Sequence, residues 1–347
     1  MTALEWMERF AHAYAKAFRY MDSTVWVNPA APAAAREKLE QYGEPILFGV
    51  KDTDQIPLAL VKRLAVQPDF VWMTVDRMAP HGRAIDPALT NPLTGRRMTG
   101  SSSGSALNIL RGVHDLALAT DGGGSILGPA LATQLYGINA KGLGLKGRKP
   151  SQSTEGLPLT VGIGVLSHSL AWAKRALEAL LETRLDAELT GLRVALDVDA
   201  PGKLEALFRA EGCTVHRFDK GQAYERAHGL ALIRELFQSS DLIVSAEGPV
   251  DVESYADSLV MNGHPDARGG KFLLRSANLA DTTAVAVPGE AVAAGYIVLA
   301  QSGLEAGRRA IAAAEAIAAA CPRSALFEEY FLRRMRLGHS GFFHEGM

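Results

Sequence analysis

Cysteine is nearly absent from this chain. Cys213 and Cys321 are its only two in 347 residues, far too few for a disulfide framework, and a reducing cytoplasm is the expected compartment. Charge of one sign is lacking too. The 36 basic and 38 acidic residues almost cancel, so no broad basic field points to nucleic acid and no charged tail is evident. Long apolar runs are missing as well. The richest, Ala310 to Cys321, is about half a membrane span and contains Glu315. It reads as a helix of a soluble protein, and no membrane partner is expected. The opening MTALEWMERFAHAYAKAF carries acidic residues and no continuous apolar core, unlike a signal peptide. Metal motifs are likewise wanting: there is no H-E-x-x-H, and the nine histidines never fall in strong metal spacing. A Walker phosphate loop and an S-x-x-K site are also missing. Gly142 to Gly147 matches G-x-G-x-x-G, but Lys149 and Pro150 follow in place of a helix, so a dinucleotide site is discounted.

What is present is a hydrophobic content of 48 %, enough for a sizeable core, and an alternation of apolar elements. Helical periodicity covers the first 20 residues, Ala33 to Tyr42, Ala59 to Val66, Ala171 to Glu182, Gly202 to Ala210, Ala223 to Phe237 and Leu304 to Ala320. Strand patterns cover Ile46 to Val50, Phe70 to Val75, Leu192 to Asp197, Thr214 to Phe218, Leu242 to Ser245, Thr283 to Val287 and Tyr296 to Ala300. The alternation predicts an α/β protein with a mixed central β-sheet covered by helices on both faces. No linker or repeat divides it, so one domain over 1–347 is expected. Arg77 to Thr99 reads as a long loop, and His81, Arg83, Arg96 and Arg97 on it are plausible substrate-facing groups.

The chemistry concentrates between Thr99 and Pro129, TGSSSGSALNILRGVHDLALATDGGGSILGP. Two Gly/Ser clusters flank a helix signal and a strand signal. A helix over Ser105 to Gly112 rises about 12 Å and a strand over Leu116 to Thr120 returns about 16 Å. That return puts Ser101 and Ser125 side by side, close enough to share a proton. The amides of Gly122, Gly123, Gly124 and Ser125 are placed to converge on one oxygen as an oxyanion hole. Gly128 and Pro129 read as a helix entry, which sets Ser125 just ahead of a helix N-terminus. Gly100 to Gly104 also fits G-x-S-x-G with Ser102 in the middle. A nucleophile elbow needs a strand before that serine, however, and NPLTGRRMTG does not supply one. An esterase built on Ser102, with His168 or His264, therefore ranks second, alongside a non-catalytic subunit that keeps the fold. Lys51, at the end of the strand beginning at Ile46, reads from its own segment as an exposed strand-end lysine.

These motifs resemble the amidase signature hydrolases. The family's GGSSGGS-type cluster lies here as TGSSSGSA, and its TDxGGS cluster with a following proline as TDGGGSILGP. Asn91-Pro92 stands where the family has an Asn-Pro. GVLSHSLAWAKRALEALL and SANLADTTAVAVPG are similar to two later family segments. The resemblance implies a Ser-cisSer-Lys triad: Ser125 as nucleophile, Ser101 as bridging serine after a cis Gly100–Ser101 peptide, and Lys51 of Val50-Lys51-Asp52 as base. It implies hydrolysis of a small non-peptide carboxamide through an acyl-enzyme, with no cofactor and no metal. Ser102 and Arg97 are weaker substrate-binding candidates, and a homodimer is one option for assembly. The departures are specific. Thr99 and Ser103 replace glycines, and Leu127 stands where an arginine is usual. A Gly-Lys-Thr-Asn segment is not recognisable between Val75 and Thr90, and the chain is short, chiefly between about Glu182 and Phe272.

Overall fold

The computed structural model describes residues 1–152, 158–252 and 269–335. The chain opens with α1 (Ala3–Arg19), β1 (Thr24–Val27), α2 (Ala31–Tyr42), β2 (Ile46–Lys51), α3 (Leu58–Ala65) and β3 (Phe70–Asp76). A small hairpin, β4 (Ile85–Thr90) with β5 (Arg97–Thr99), precedes α4 (Ser103–Leu110), β6 (Leu116–Asp121) and α5 (Leu127–Ala132). Next come β7 (Tyr136–Asn139), β8 (Lys146–Gln152), β9 (Pro158–Ser167) and α6 (Leu170–Leu181). The last third alternates β10 (Arg193–Asp197), α7 (Gly202–Ala210), β11 (Thr214–Phe218), α8 (Arg226–Leu236) and β12 (Leu242–Glu247). It closes with β13 (Thr283–Pro288), β14 (Gly295–Ala300) and α9 (Leu304–Ala320).

All strands but β4 and β5 join one mixed sheet in the order β1-β3-β2-β6-β9-β7-β13-β14-β12-β10-β11, with β8 paired to β9. Strands β3, β2 and β6 run parallel, as do β11, β10 and β12, while the pairs between these groups are antiparallel. The two faces differ in side-chain size, and the strand period of two produces the difference. On β6, Leu116 and Leu118 face the cluster that includes Val61, Leu177, Leu204 and Ile311, from α3, α6, α7 and α9. Ala117 and Ala119 face the opposite cluster, with Leu107, Leu131 and Ile233 of α4, α5 and α8. Strand β13 repeats the division, Val285 and Val287 on the first face and Ala284 and Ala286 on the second. Alanine on the second face lets α4 and α5 lie close to the sheet, and every residue of both helices is buried. Helices thus cover both faces, as the alternation predicts.

Three differences from the sequence reading concern strands. The Arg77–Thr99 stretch is not a structureless loop, because Ile85 pairs with Thr99 and Asp86 with Met98 in the β4–β5 hairpin. Pro87 inside β4 and the bulge between Asp86 and Thr90 disguise it. Strand β8, KGRKPSQ, has no apolar alternation because it pairs with one neighbour and is largely exposed. Strands β1, β7 and β9 also went unpredicted. In β9 the glycines Gly162 and Gly164 interrupt the hydrophobic pattern, and close contacts require them: a Cβ on Gly162 would lie 1.9 Å from Asn139 Oδ1.

Candidate active site

The site forms where the C-terminal end of β2 meets the two turns that flank α4, β6 and α5. Helix α4 runs out and β6 returns beside β2 in parallel register, Val50 opposite Leu118. The two Gly/Ser clusters are thereby brought together, and the Ser101 amide donates to Ser125 Oγ at 3.4 Å. Gly100, at φ +74, turns the chain into α4, and Pro129 packs so closely on it that a Cβ there would lie 2.4 Å from Pro129 Cδ. The spacing between the first cluster and the proline after the second therefore reflects a packing contact. Ser103 Oγ donates to Gly100 O at 2.5 Å and tightens the same turn.

Lys51 lies in the middle of this arrangement, not on the surface. Only 2 % exposed, its Nζ donates to Ser101 Oγ at 2.7 Å, to Thr120 Oγ1 at 2.9 Å and to Thr120 O at 3.3 Å. Burial disfavours the ammonium and lowers its pKa to about 7, against a smaller opposing pull from Asp121. At that value a large share of the amine is neutral and able to accept a proton at neutral pH. Asp121 holds the second turn. Its carboxylate accepts from Gly124 N and Ile126 N, both at 2.7 Å, and from Leu127 N at 3.3 Å. Burial pushes this carboxyl up from its ordinary range while the three amides pull it down. Gly124, at φ +97, supplies the left-handed residue that the turn requires.

A second clamp comes from far along the chain. Asn278 Nδ2 donates to Gly122 O at 3.3 Å and to Thr160 O at 3.0 Å, while its Oδ1 accepts from Gly162 N at 2.9 Å. One side chain thus ties the glycine turn to β9. The cavity above the turn encloses about 330 Å³, and Lys51, Ser101, Thr120, Gly122, Gly123 and Ser125 form its floor.

Several expectations need correction. The Gly100–Ser101 peptide is trans, since the one cis bond among the described residues is Gly248–Pro249; the positive φ of Gly100 makes the turn instead. Gly124 cannot donate to a substrate oxygen, because its amide is committed to Asp121. Ser102 is fully buried as the residue before α4, 3.5 Å from Thr120 O, and does not line the cavity, which removes it as an esterase nucleophile or a substrate contact. Arg97 is exposed on the hairpin, its guanidinium 3.5 Å from Thr90 Oγ1, and lies off the cavity. Of the other Arg77–Thr99 candidates, His81 lines the cavity, whereas Arg96 pairs with Asp251 at 3.3 Å. Arg83 does not line it. His168 lies away from it against Trp172, and His264 is outside the described residues. Sequence reasoning passed over Arg226, Lys271 and Arg275, which line the cavity from α8 and the segment after residue 268. No local motif marks them.

A family model described as Amidase matches residues 87–190, the segment that holds both serine clusters. The fold matches a bacterial aryl acylamidase of the amidase signature enzymes family with a TM-score of 0.65 at 17 % identity, over 98 % of this chain and 96 % of that one. The fold is that of the amidase signature enzymes, and the segment holding both serine clusters resembles the Amidase family. A second structure, described only as an amidase, matches with a TM-score of 0.65 at 19 % identity over 92 % and 96 % of the two chains. The peptide amidase of Stenotrophomonas maltophilia matches at 0.63 and 15 % identity, over 94 % of each. No curated protein matches in sequence. Lys51 falls outside the matched segment and joins the two serines only through the β2–β6 pairing. Among the described residues, no group of three His, Cys, Asp or Glu side chains is arranged to hold a metal, and no single helix is long and apolar enough to cross a membrane.

Proposed function

We propose that this protein hydrolyses a small non-peptide carboxamide, with Ser125 as nucleophile, Ser101 as proton bridge and Lys51 as base. The observation that carries the reading is the buried Lys51 amine 2.7 Å from Ser101 Oγ, with the Ser101 backbone amide donating to Ser125 Oγ at 3.4 Å. In the first step Ser125 Oγ bonds to the carbonyl carbon, its proton passes to Ser101, and Ser101's own proton passes to neutral Lys51. The carbonyl oxygen becomes an oxyanion beside the amides of Gly122, Gly123 and Ser125. The proton then returns along the same path to the amide nitrogen, the C–N bond breaks, and ammonia or an amine leaves. Water attacks the acyl-enzyme by the same relay, freeing the carboxylate and restoring the Ser125 hydroxyl. The limited cavity supports a small substrate, and two free, buried cysteines support a reducing cytoplasm as its setting.

The test is ammonia release from a panel of aliphatic, aromatic, ureido and carboxylated small amides, combined with a fluorophosphonate probe and peptide mapping. Release of ammonia with the label on Ser125 is the expected result. A folded protein that releases none and takes no label, or that is labelled at another serine, overturns the assignment.

A further inference from the structure

The glycine turn ahead of Ser125 is backed by one short stretch of chain, Leu273 to Asn278. Leu274 Cδ1 lies 2.4 Å from the point where a Cβ on Gly124 would stand, and Arg275 O lies 3.6 Å from the equivalent point on Gly123. Asn278 accounts for Gly122, whose carbonyl accepts from its Nδ2. Gly122, Gly123 and Gly124 thus all rest on a single run of residues. That run is wound on itself, since Ser276 N and Ala277 N both donate to Leu273 O, at 3.0 and 2.9 Å. Whatever fixes its leading end therefore fixes the turn.

The leading end is held by Glu247, the last residue of β12. Only 3 % exposed, its carboxylate accepts from Phe272 N at 2.5 Å and from Leu273 N and Ser245 Oγ, each at 2.9 Å. The neighbouring cation, Lys220, is committed to other carboxylates. Its Nζ donates to Asp197 and Asp199, both at 2.7 Å, and sits 4.7 Å from the centre of the Phe272 ring. The Glu247 charge is thus spent on backbone N–H groups, in the charge-assisted bonds that are about twice as strong as neutral ones. Burial of a carboxylate is costly, so those bonds must be kept for it to stay ionised there. Glu247 does not line the cavity and can act on it only through this stretch.

We propose that Glu247 is a positioning residue for the reaction: by fixing Phe272 and Leu273 it holds Leu274 against Gly124 and keeps the amides of Gly122, Gly123 and Ser125 aimed at the developing oxyanion. The proposal rests on the amide-hydrolase reading and adds to it a group outside the proposed relay. Its expected size is bounded from above, because deleting one oxyanion donor outright costs about a hundredfold to a thousandfold in kcat, and a displaced donor costs less.

The experiment is Glu247→Gln, in which one carboxylate oxygen becomes an NH₂ set against backbone N–H groups. Assays at about pH 8.5 keep Lys51 unprotonated, so its ionisation does not enter the comparison. On an amide that the wild type cleaves, kcat per fluorophosphonate-titrated site should fall about tenfold to a hundredfold, with KM within about twofold, since the oxyanion forms only in the transition state. Counting by titrated site removes any loss of folded protein from the rate. Amide hydrogen exchange should quicken at Gly122 to Ser125 as well as at Phe272 and Leu273. An unchanged kcat per site in the folded variant, a loss carried by KM, or faster exchange confined to Phe272 and Leu273 overturns the proposal and leaves the hydrolase reading intact. Should Glu247→Gln fail to fold, Leu274→Val decides, because it deletes the δ-carbon against Gly124 and leaves every backbone hydrogen bond in place. The same fall in kcat at unchanged KM supports the proposal, and a wild-type kcat overturns it. If the wild type cleaves no amide and takes no label, the hydrolase reading fails by itself. Exchange at Gly122 to Ser125 in either variant then decides whether Glu247 seats the turn: faster exchange supports that role and unchanged exchange overturns it.

Discussion

The most exposed commitment in this structure is the ionisation of Lys51. Burial moves it from an ordinary 10.5 to about 7, so at neutral pH roughly half of the amine is unprotonated, against about 0.03 % for a solvated lysine. The gain is roughly a thousandfold in competent base. It has a stability counterpart whose sign is fixed by linkage. Between pH 7 and 10.5 the unfolded chain holds a proton on this residue that the folded chain has released, so stability rises with pH across that window. Below it both states are protonated and the contribution is flat at its least favourable. The full span is on the order of 5 kcal/mol, of which roughly 3 kcal/mol falls between about pH 6 and about pH 9.5. Urea unfolding at those two values, for wild type and Lys51→Met, isolates this term from the shared surface titrations. Wild type should gain roughly 3 kcal/mol relative to the variant on going to the higher pH. In parallel, kcat/KM should fall about tenfold per unit below a limb near pH 7, with Lys51→Met inactive throughout. No differential gain, together with a limb near 10 or none, would refute the buried-amine reasoning.

Other consequences are as direct. Ser125→Ala should lower turnover by three orders of magnitude or so and abolish fluorophosphonate labelling. Ser102→Ala should keep the labelling, because that hydroxyl lies outside the cavity. Asp121→Asn removes a charge that favours protonated Lys51, so the limb of its pH–rate profile should move to lower pH than in wild type. The same change opposes an amide NH₂ to backbone N–H groups, so the variant should also melt earlier. Asn278→Ala leaves Gly162 N–H and two carbonyls without their partner, costing about 1–3 kcal/mol, and should raise amide exchange around Gly122. Unchanged exchange there would show that the clamp is dispensable.

Much of this arrangement is legible in the sequence, for reasons that are local. The helix and strand between the two Gly/Ser clusters have spacings that leave one return geometry, so the approach of Ser101 to Ser125 follows from short-range periodicity. Strand ends such as Ile46, Phe70 and Thr214 are marked by adjacent polar or turn residues. Lys51 is different: its segment alone reads as a surface lysine, and only the β2–β6 pairing makes it a buried donor to Ser101. The oxyanion turn was over-read at Gly124, because a row of glycines does not reveal that a nearby carboxylate claims one amide. Arg226 is invisible for a similar reason. In sequence it merely begins an amphipathic helix, and its reach to Gly123 depends on how α8 packs on the turn around Ser276. Edge strands β1 and β8 lack the apolar alternation that a half-buried strand displays.

Asn278 gives the chain an order of completion. A nascent polypeptide releases Lys51, Ser101 and Ser125 from the ribosome long before residue 278, so every group of the proposed relay is in solution while the side chain that seats Gly122 is still unsynthesised. A truncated product ending ahead of Asn278 would carry all three groups of the proposed relay and lack that seat, so the clamp on the glycine turn arrives only with the last third of translation.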